Sequence, residues 1–389
     1  RKTSSVIGVR AKRNEIQSVF KVVVKASKSS DNSDAWSSAI LIGLTEGLRT
    51  VADATKVVTQ RERESMVQLF ETRVGLRRAA VNLLQVIGLP ESTKMPKTLS
   101  LASRLAANTQ AVSGQRVDAI NLLALANPSA HKAILKKLID PKEPQEVQSA
   151  AVNALGNLSG TEIAVLLLER WRAMTSVVRT EAVKVLRHDA ERIRLLLDAI
   201  RENKVQPWTI NSGTKQRLLT HPNESIRYEA EKLIRVKTSE RERMIERYEQ
   251  AVTMEGDIER GRVVFDRVCE KCHTINGVGN QMGPDLGEVR NRPRELLLAD
   301  ILIPNKSIAQ QYESYVVELA SGEVLDGVIG EQTPTTITIR QEEGTERAVY
   351  RSSIRNFYLA ELSAMPEDID KQVSVQQMAD LLRFIKRSR

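Results

Sequence analysis

Apolar residues recur at helical spacing through about half of this chain of 389 residues, and this recurrence limits the fold more than any other feature of the sequence. Between Trp36 and about residue 235, several segments also resemble one another, each placing an alanine between two larger apolar residues. The matching triplets are Leu76, Ala80 and Leu84; Val147, Ala151 and Leu155; Val178, Ala182 and Leu186; and Ile226, Ala230 and Ile234. Helix pairs of this kind cannot bury their apolar stripes alone, so they stack on their neighbours. The pattern predicts a right-handed α-solenoid.

These segments are similar to HEAT-type repeats, and we expect HEAT-like helical repeats over residues 36–236. The register is uneven, because Val147 and Val178 are 31 residues apart (178 − 147) while Val178 and Ile226 are 48 apart (226 − 178). An insertion around Trp208 to Thr214 would explain the longer step. Repeats of this type generally form a scaffold or a docking surface.

The composition favours helix and leaves the partner open. Aromatic residues make up only 4% of the chain, which argues against a large β-sandwich or propeller core. The net charge of +9 suits nucleic acid, an anionic membrane surface or an acidic protein partner, and the charge alone does not choose among them. Since no nucleic-acid recognition module is visible, we expect no nucleic-acid partner. We also expect no transmembrane segment, because no run of about 18 apolar residues occurs.

Residues 1–35 form a basic N-terminal segment with little periodicity. The apolar run from Val19 to Val24 predicts one strand, and an irregular terminus is the alternative. The chain starts with Arg1 rather than Met, and no secretory signal follows it. We therefore expect a mature or trimmed product of a longer parent.

A second domain is expected over residues 237–389, after a change in composition. It begins with a charged helix, Thr238 to Met254, that Gly256 and Asp257 interrupt. Between about residues 312 and 358, alternating residues and turn pairs predict a small antiparallel β insert. The predicted strands are Tyr315 to Leu319, Val324 to Ile329, Thr336 to Arg340 and Ala348 to Ile354, with turns at Ser321-Gly322 and Glu343-Gly344.

The segment Cys269-Glu270-Lys271-Cys272-His273 has the attachment pattern for c-type haem. Two thiols three residues apart can add to the two vinyl groups of the macrocycle, and the adjacent imidazole can bind the iron. We therefore predict one covalently bound haem c, attached through Cys269 and Cys272 and coordinated by His273.

Other chemistries of a cysteine pair fit this sequence less well. A structural zinc site needs four ligands, whereas the chain has only two Cys and its three other His are distant. A thioredoxin-like dithiol needs a βαβ setting that the sequence lacks. A simple disulfide is chemically open, but it gives no role to His273.

The flanking sequence suits a haem pocket. Gly261 and Phe265 lie on a predicted helix whose close approach to the last helix, Gln376 to Lys386, would close a small cytochrome. Downstream, Gly283 and Pro284 end a glycine-rich loop that can pass near the porphyrin edge, with Pro284 packed near His273.

These motifs, together with Ile303-Pro304-Asn305, Gly322 to Gly330 and Met365-Pro366-Glu367, resemble the haem-binding cytochrome c domain abundant in the Planctomycetes and Verrucomicrobia. The resemblance covers roughly residues 250–389. It implies a mainly α fold, with a HEAT-like solenoid followed by a class I-like cytochrome c domain that carries the β insert. In that family, a β-propeller similar to sugar or quinoprotein dehydrogenases commonly precedes these parts. This chain lacks a propeller match, so a dehydrogenase activity does not carry over.

The sixth iron ligand is expected to be Met365, which precedes Pro366 in the loop where such cytochromes present a thioether. Met282 lies nearer to His273 in sequence, at a position where the family places packing residues. An open iron site is the remaining alternative.

We therefore expect single-electron transfer with an acidic redox partner, in the periplasm or an equivalent envelope compartment, because haem is attached outside the cytoplasm. The chain alone is not expected to be an enzyme. The alternatives are a peroxidase, gas-binding enzyme or sensor with an open iron site, the electron-accepting part of a larger sugar or alcohol dehydrogenase, and an adaptor whose haem is structural. The sequence leaves the oligomeric state open.

Overall fold

The computed structural model describes residues 1–28, 33–234, 240–305 and 308–387. The chain divides into two compact units, Arg1–Ser159 and Gly160–Arg389. Both are built mainly from helices, and the second also contains a small antiparallel sheet, so the predicted mainly α class with a β insert is confirmed at that level. Within the described ranges, no helix is both long enough and apolar enough to cross a bilayer.

The first unit consists of short helices in which alternate helices stack on each other. Its helices are α1 (Lys2–Arg10), α2 (Arg13–Ala26), α3 (Asp34–Leu48), α4 (Gln60–Thr72), α5 (Arg77–Ile87), α6 (Met95–Ala107), α7 (Ser113–Ala126), α8 (Lys132–Lys137) and α9 (Gln145–Gly156). Helix α3 packs on α5, α5 on α7 and α7 on α9, while α4 packs on α6.

The expected strand at Val19–Val24 is wrong, because these residues lie in α2. Ile16, Phe20 and Val23 are buried, while Val22 is 52% exposed. Burial therefore follows the helical period of 3.6 residues and not the alternation of a strand. The supposedly irregular terminus is also helical over α1, which packs against α3.

The second unit starts with further short helices and continues into the predicted haem domain. The helices are α10 (Glu162–Glu169), α11 (Ser176–Leu186), α12 (Ala190–Arg201), α13 (Ser212–Leu219), α14 (Glu224–Ile234), α15 (Glu240–Tyr248), α16 (Gln250–Thr253), α17 (Ile258–Val268), α18 (Arg294–Leu302), α19 (Ile369–Gln372) and α20 (Val375–Arg387). Here α10 packs on α12 and α12 on α14. The predicted charged helix is thus split into α15 and α16. The predicted boundary at residues 236–237 lies outside the described residues.

The apolar triplets found in the sequence lie in the interior. The first and middle residues of all four triplets are at most 1% exposed, and so are the last residues of three. Ile234, the last residue of the fourth, is half-buried. The small alanine in the middle of each triplet lets neighbouring helices approach closely, so the recurring pattern reflects the packing between helices.

Helices α17 and α20 cross closely, which confirms the predicted contact between the helix of Gly261 and Phe265 and the last helix. A side chain at Gly261 would overlap the backbone carbonyl of Asp380, so glycine sets the spacing. Beside the crossing, the rings of Phe265 and Phe384 have centroids 5.7 Å apart. The buried carboxylate of Asp380 also accepts hydrogen bonds from Arg260 Nε at 2.9 Å and from the Asp257 amide at 2.8 Å.

The insert is a five-stranded antiparallel sheet, preceded in the chain by the small hairpin of β1 (Thr274–Ile275) and β2 (Val278–Gly279). Its strands are β3 (Ser314–Leu319), β4 (Val324–Gln332), β5 (Thr336–Arg340), β6 (Glu346–Tyr350) and β7 (Ile354–Leu359). Their order is β6-β5-β4-β3-β7. The expected strand from Ala348 to Ile354 is wrong, since a short turn at Arg351–Ser353 separates β6 from β7. After this turn β7 pairs with β3, at the opposite edge from β6.

Within the second unit, a buried polar cluster holds the sheet against helix α11. Arg179 on α11 forms an ion pair with Glu313, and the two side chains are only 1% and 4% exposed. The same guanidinium donates to Tyr315 Oη at 3.2 Å, and Tyr315 Oη donates to Glu313 Oε2 at 2.9 Å. Trp208 packs against the hydrophobic core of the sheet. The insert is therefore fixed to the helical repeats rather than projecting freely.

Candidate haem-binding site

Helix α17 leads directly into the Cys-x-x-Cys-His segment. The apolar face of the helix buries Val264 and Phe265, and the chain then turns sharply at Cys269. In this turn the His273 amide donates to the Cys269 carbonyl at 2.9 Å, and the Cys272 amide donates to the same carbonyl at 3.1 Å. The core contacts of α17 thereby fix the position of the attachment segment.

A tight hairpin follows His273 and returns the chain to it. Asn276 and Gly277 at its tip have φ values of 53° and 78°, as a two-residue hairpin of this handedness requires. Gly279 has φ of 104°, and a side chain there would overlap the His273 carbonyl. The predicted glycine-rich loop therefore wraps closely around the histidine.

The imidazole of His273 is oriented by a backbone carbonyl. Its Nδ1 lies 2.8 Å from the Pro284 oxygen, which can only accept, so Nδ1 carries the proton. Burial lowers the pKa of His273, and the neutral ring then has its lone pair on Nε2. Metal-binding histidines usually donate their other ring nitrogen in this way, which fixes the tautomer and the ring plane. Pro284 thus lies beside His273, as expected from the sequence.

Gly283 provides the flat surface on which this ring rests. A Cβ atom built at Gly283 would lie 2.5 Å from His273 Cε1 and 2.7 Å from Nδ1, well inside normal contact. Only glycine leaves the ring in its place. The structure therefore gives a steric reason for Gly283, in addition to the close approach to the porphyrin edge inferred from the sequence.

His273 lines a mostly apolar cavity, and Cys272 and Met365 line the same cavity. The cavity has a volume of about 300 Å³ and is partly open to solvent, which places it at the lower end of the size range of small-molecule and cofactor pockets. Its lining includes Cys272, His273, Met282, Gly283, Pro284, Leu286, Val289, Arg292, Leu297, Asp300, Pro304, Tyr312, Val328 and Met365. A cavity with a free imidazole nitrogen, a thiol and a thioether fits a haem chemically.

The two cysteines differ in their surroundings. Cys272 lines the cavity, whereas Cys269 packs against the hydrophobic core beside α17. Burial, with a smaller contribution from Cys272, raises the pKa of Cys269 to about 12. Burial also raises the pKa of Cys272, to which Glu342 adds. Redox-active Cys-x-x-Cys pairs have lowered thiol pKa values, so this environment does not favour the dithiol alternative. Neither cysteine forms a disulfide in the structure.

Both candidate thioethers reach the cavity. Met365 is half-buried in the loop between β7 and α19, and it packs against the hydrophobic core that α17 and α20 share. Met282 is 6% exposed, and its Sδ lies 3.8 Å from Cys272 Sγ. Met282 therefore contacts the attachment segment itself, while Met365 comes from a separate part of the chain.

The β insert forms part of the wall around the attachment segment. The Glu343 amide donates to the Lys271 carbonyl at 3.2 Å, and a side chain at Gly344 would overlap Asn280. From β4, Val328 lines the cavity and is 1% exposed. These contacts make the insert a wall on one side of the pocket.

Sequence reasoning missed several polar residues of the cavity. Arg292 and Asp300 line it and form an ion pair at 2.9 Å, and Tyr312 adds a phenol to the lining. They come from the loop before α18, from α18 and from the segment before β3. No local motif marks them, because only the tertiary fold brings them to the cavity.

Among the residues that the structure describes, no three His, Cys, Asp or Glu side chains group as metal ligands would. A scan against protein-family models gave no match, and a search of curated proteins gave none either.

Proposed function

We propose that this protein is a single-electron carrier with one covalently bound haem c. Cys269 and Cys272 would attach the haem, His273 Nε2 would be the proximal ligand and Met365 the sixth ligand. The observation that carries the proposal is the fixed neutral imidazole, which donates to Pro284, rests on Gly283 and faces a cavity shared with Cys272 and Met365. When bound, haem c supplies a one-electron ferric/ferrous couple.

The attachment chemistry needs only the two thiols. Each S–H would add across one vinyl group, so that sulfur bonds to one carbon and hydrogen to the other. The C=C bond becomes a single bond, and no group leaves. The raised thiol pKa values keep both groups protonated at neutral pH, so that each cysteine is present as the S–H form that adds to the vinyl group.

The protein parts around the cavity have separate tasks in this proposal. Apolar lining residues such as Val328 and Leu297 exclude water, which raises the strength of electrostatic interactions inside. A thioether ligand stabilises the reduced iron and so raises the potential relative to two imidazoles. The stacking of alternate helices, α5 on α7 and α12 on α14, supports a HEAT-like scaffold in both units.

The proposed setting follows from the cofactor and from the charge. Haem c is attached outside the cytoplasm, so we place the protein in the periplasm or an equivalent envelope compartment. The net charge of +9 suits docking of an acidic redox partner. The resemblance to the haem-binding cytochrome c domain of the Planctomycetes and Verrucomicrobia agrees with the envelope location.

A spectrum of the purified full chain tests the proposal. We expect a reduced-minus-oxidised visible spectrum typical of haem c, a pyridine haemochrome of the thioether type, and a potentiometric titration with a one-electron slope. A colourless protein with the mass of the bare chain would exclude the proposal. Ready binding of carbon monoxide or cyanide would instead favour an enzyme or sensor with an open iron site.

Replacing Met365 with Ala is expected to abolish the long-wavelength sulfur-to-iron band and to lower the potential. The fall should be a substantial part of the roughly 0.8 V range that axial ligands span. Met282→Leu is the matched control, because Met282 is a thioether of the same cavity. Visible spectra and potentiometry check both variants. Loss of the band in Met282→Leu, with an unchanged spectrum in Met365→Ala, would transfer the ligand role to Met282.

A further inference from the structure

The loop that carries Met365 has little structure of its own. Between the end of β7 at Leu359 and the start of α19 at Ile369, the chain forms neither helix nor strand. A loop of this kind has conformational freedom that coordination would have to remove, at a cost in free energy. The contacts that hold this loop therefore determine how firmly the Met365 thioether is held in the cavity.

One side chain from a distant segment holds this loop on both sides of Met365. Asn305 Oδ1 accepts from the Ser363 amide at 2.6 Å, and Asn305 Nδ2 donates to Glu367 Oε1. The two contacts lie two residues before and two residues after Met365. An asparagine carboxamide suits this position because it offers an acceptor and a donor from one rigid plane.

A further hydrogen bond extends the connection to the methionine itself. The Met365 amide donates to Ser363 Oγ at 3.2 Å. Ser363 therefore connects Met365 to Asn305, because the Ser363 amide donates to Asn305 Oδ1. Asn305, Ser363 and Glu367 are all half-buried, where such bonds compete less with water than at the open surface.

We infer that Asn305 is the positioning residue for the sixth iron ligand: it clamps the 360–368 loop and holds Met365 in the cavity. The inference rests on the proposed haem function. It adds the residue that controls how easily another ligand replaces Met365 on the iron. Partners behind a ligand orient it, and their loss typically weakens the site without removing the ligand. A protein without the clamp would still contain Met365, but an exogenous ligand would displace it more easily.

The test compares the haem-loaded full chain with Asn305→Ala. In the variant, the long-wavelength sulfur-to-iron band should weaken, and ferric iron should bind imidazole about tenfold more tightly, as loss of one or two hydrogen bonds implies. The Ser363 amide should also exchange its hydrogen faster, a readout that does not depend on the haem.

Two further variants separate positioning from general stability. Glu367→Gln keeps an acceptor for Asn305 Nδ2 and should retain most of the band. Asn356→Ala removes an asparagine that donates to Glu318 on the sheet, away from this loop, and should leave imidazole affinity unchanged. The change expected for Asn305→Ala should therefore be specific to the clamp.

The outcomes distinguish this inference from the function on which it rests. If Asn305→Ala lowers only thermal stability, with the band and imidazole affinity unchanged, Asn305 is structural and the inference fails. If the wild-type chain carries haem c but has no sulfur-to-iron band, the inference fails while the haem proposal stands. A wild-type chain without haem overturns both.

Discussion

A chain in which both Cys269 and Cys272 are replaced by Ala should contain no covalently bound haem after denaturation, whatever pathway supplies the cofactor. The chain has only these two cysteines, so no other thiol can form a thioether. The expected effect is complete: the intact mass falls by one haem to that of the bare polypeptide. Mass spectrometry of the denatured protein measures it, with the pyridine haemochrome spectrum as a second readout. Each single variant should retain one thioether and show the corresponding haemochrome shift.

Lys271→Ala is the matched control for this experiment. Lys271 lies between the two cysteines, its side chain is exposed, and only its backbone carbonyl accepts from Glu343. This variant should keep the full complement of haem. Haem that stays attached in the double cysteine variant would refute the thioether linkage.

Arg179→Met should lower the free energy of unfolding of the second unit by about 3–5 kcal/mol, because it leaves Glu313 buried without its partner. The corresponding fall in Tm is roughly 10 °C for a unit of this size. Urea unfolding followed by circular dichroism measures the loss, and tryptophan fluorescence follows it locally. The guanidinium carbon of Arg179 lies 5.9 Å from the ring of buried Trp171, which therefore reports on this region.

Two further variants test whether the loss of stability in Arg179→Met comes from the burial of its ion pair. Arg201 pairs with Asp198 and Glu229 but is 51% exposed, so Arg201→Met should lower the free energy of unfolding far less than Arg179→Met does. Combining Arg179→Met with Glu313→Gln removes both charges and should recover a large part of the loss. Equal losses for Arg179→Met and Arg201→Met would contradict the buried pair as the link between sheet and repeats.

Features with a local cause could be predicted from the sequence. The last helix was expected from Gln376 to Lys386 and spans Val375–Arg387, because its apolar stripe repeats at 3.6 residues without interruption. The hairpin turns at Ser321-Gly322 and Glu343-Gly344 were also found, since both place a glycine where φ is positive. Helix ends and tight turns depend on neighbouring residues, so the sequence alone suffices.

Features that depend on tertiary contacts could not be predicted. The β-branched residues Val22, Val23 and Val24 favour a strand locally, yet packing of the N-terminal segment against α3 and α4 selects a helix. The predicted strand from Ala348 to Ile354 runs through the turn at Arg351 and β7 is not predicted, because nothing local marks that turn. That side chain is buried and donates to the Thr333 carbonyl at 3.0 Å, a contact formed only after the sheet assembles.

The candidate site shows the same division. The attachment segment, Gly283, Pro284 and Met365 were identified from motifs and from the resemblance, and the structure brings Cys272, His273, Gly283, Pro284 and Met365 to one cavity. The link between Asn305 and the Met365 loop was not identified. Asn305 is separated by 58 residues from Ser363 and by 62 residues from Glu367, and hydrogen bonds over such separations leave no pattern in a single sequence.

The hydrogen bond from the Glu343 amide to the Lys271 carbonyl has a consequence for biogenesis. Cys269 and Cys272 precede the strands that flank Glu343, so both thiols are synthesised before this turn can form. Under the proposed function, haem attachment would be easiest in that interval, because the turn then binds the backbone between the two cysteines. A chain that folds without haem should therefore take up the cofactor more slowly than an unfolded chain.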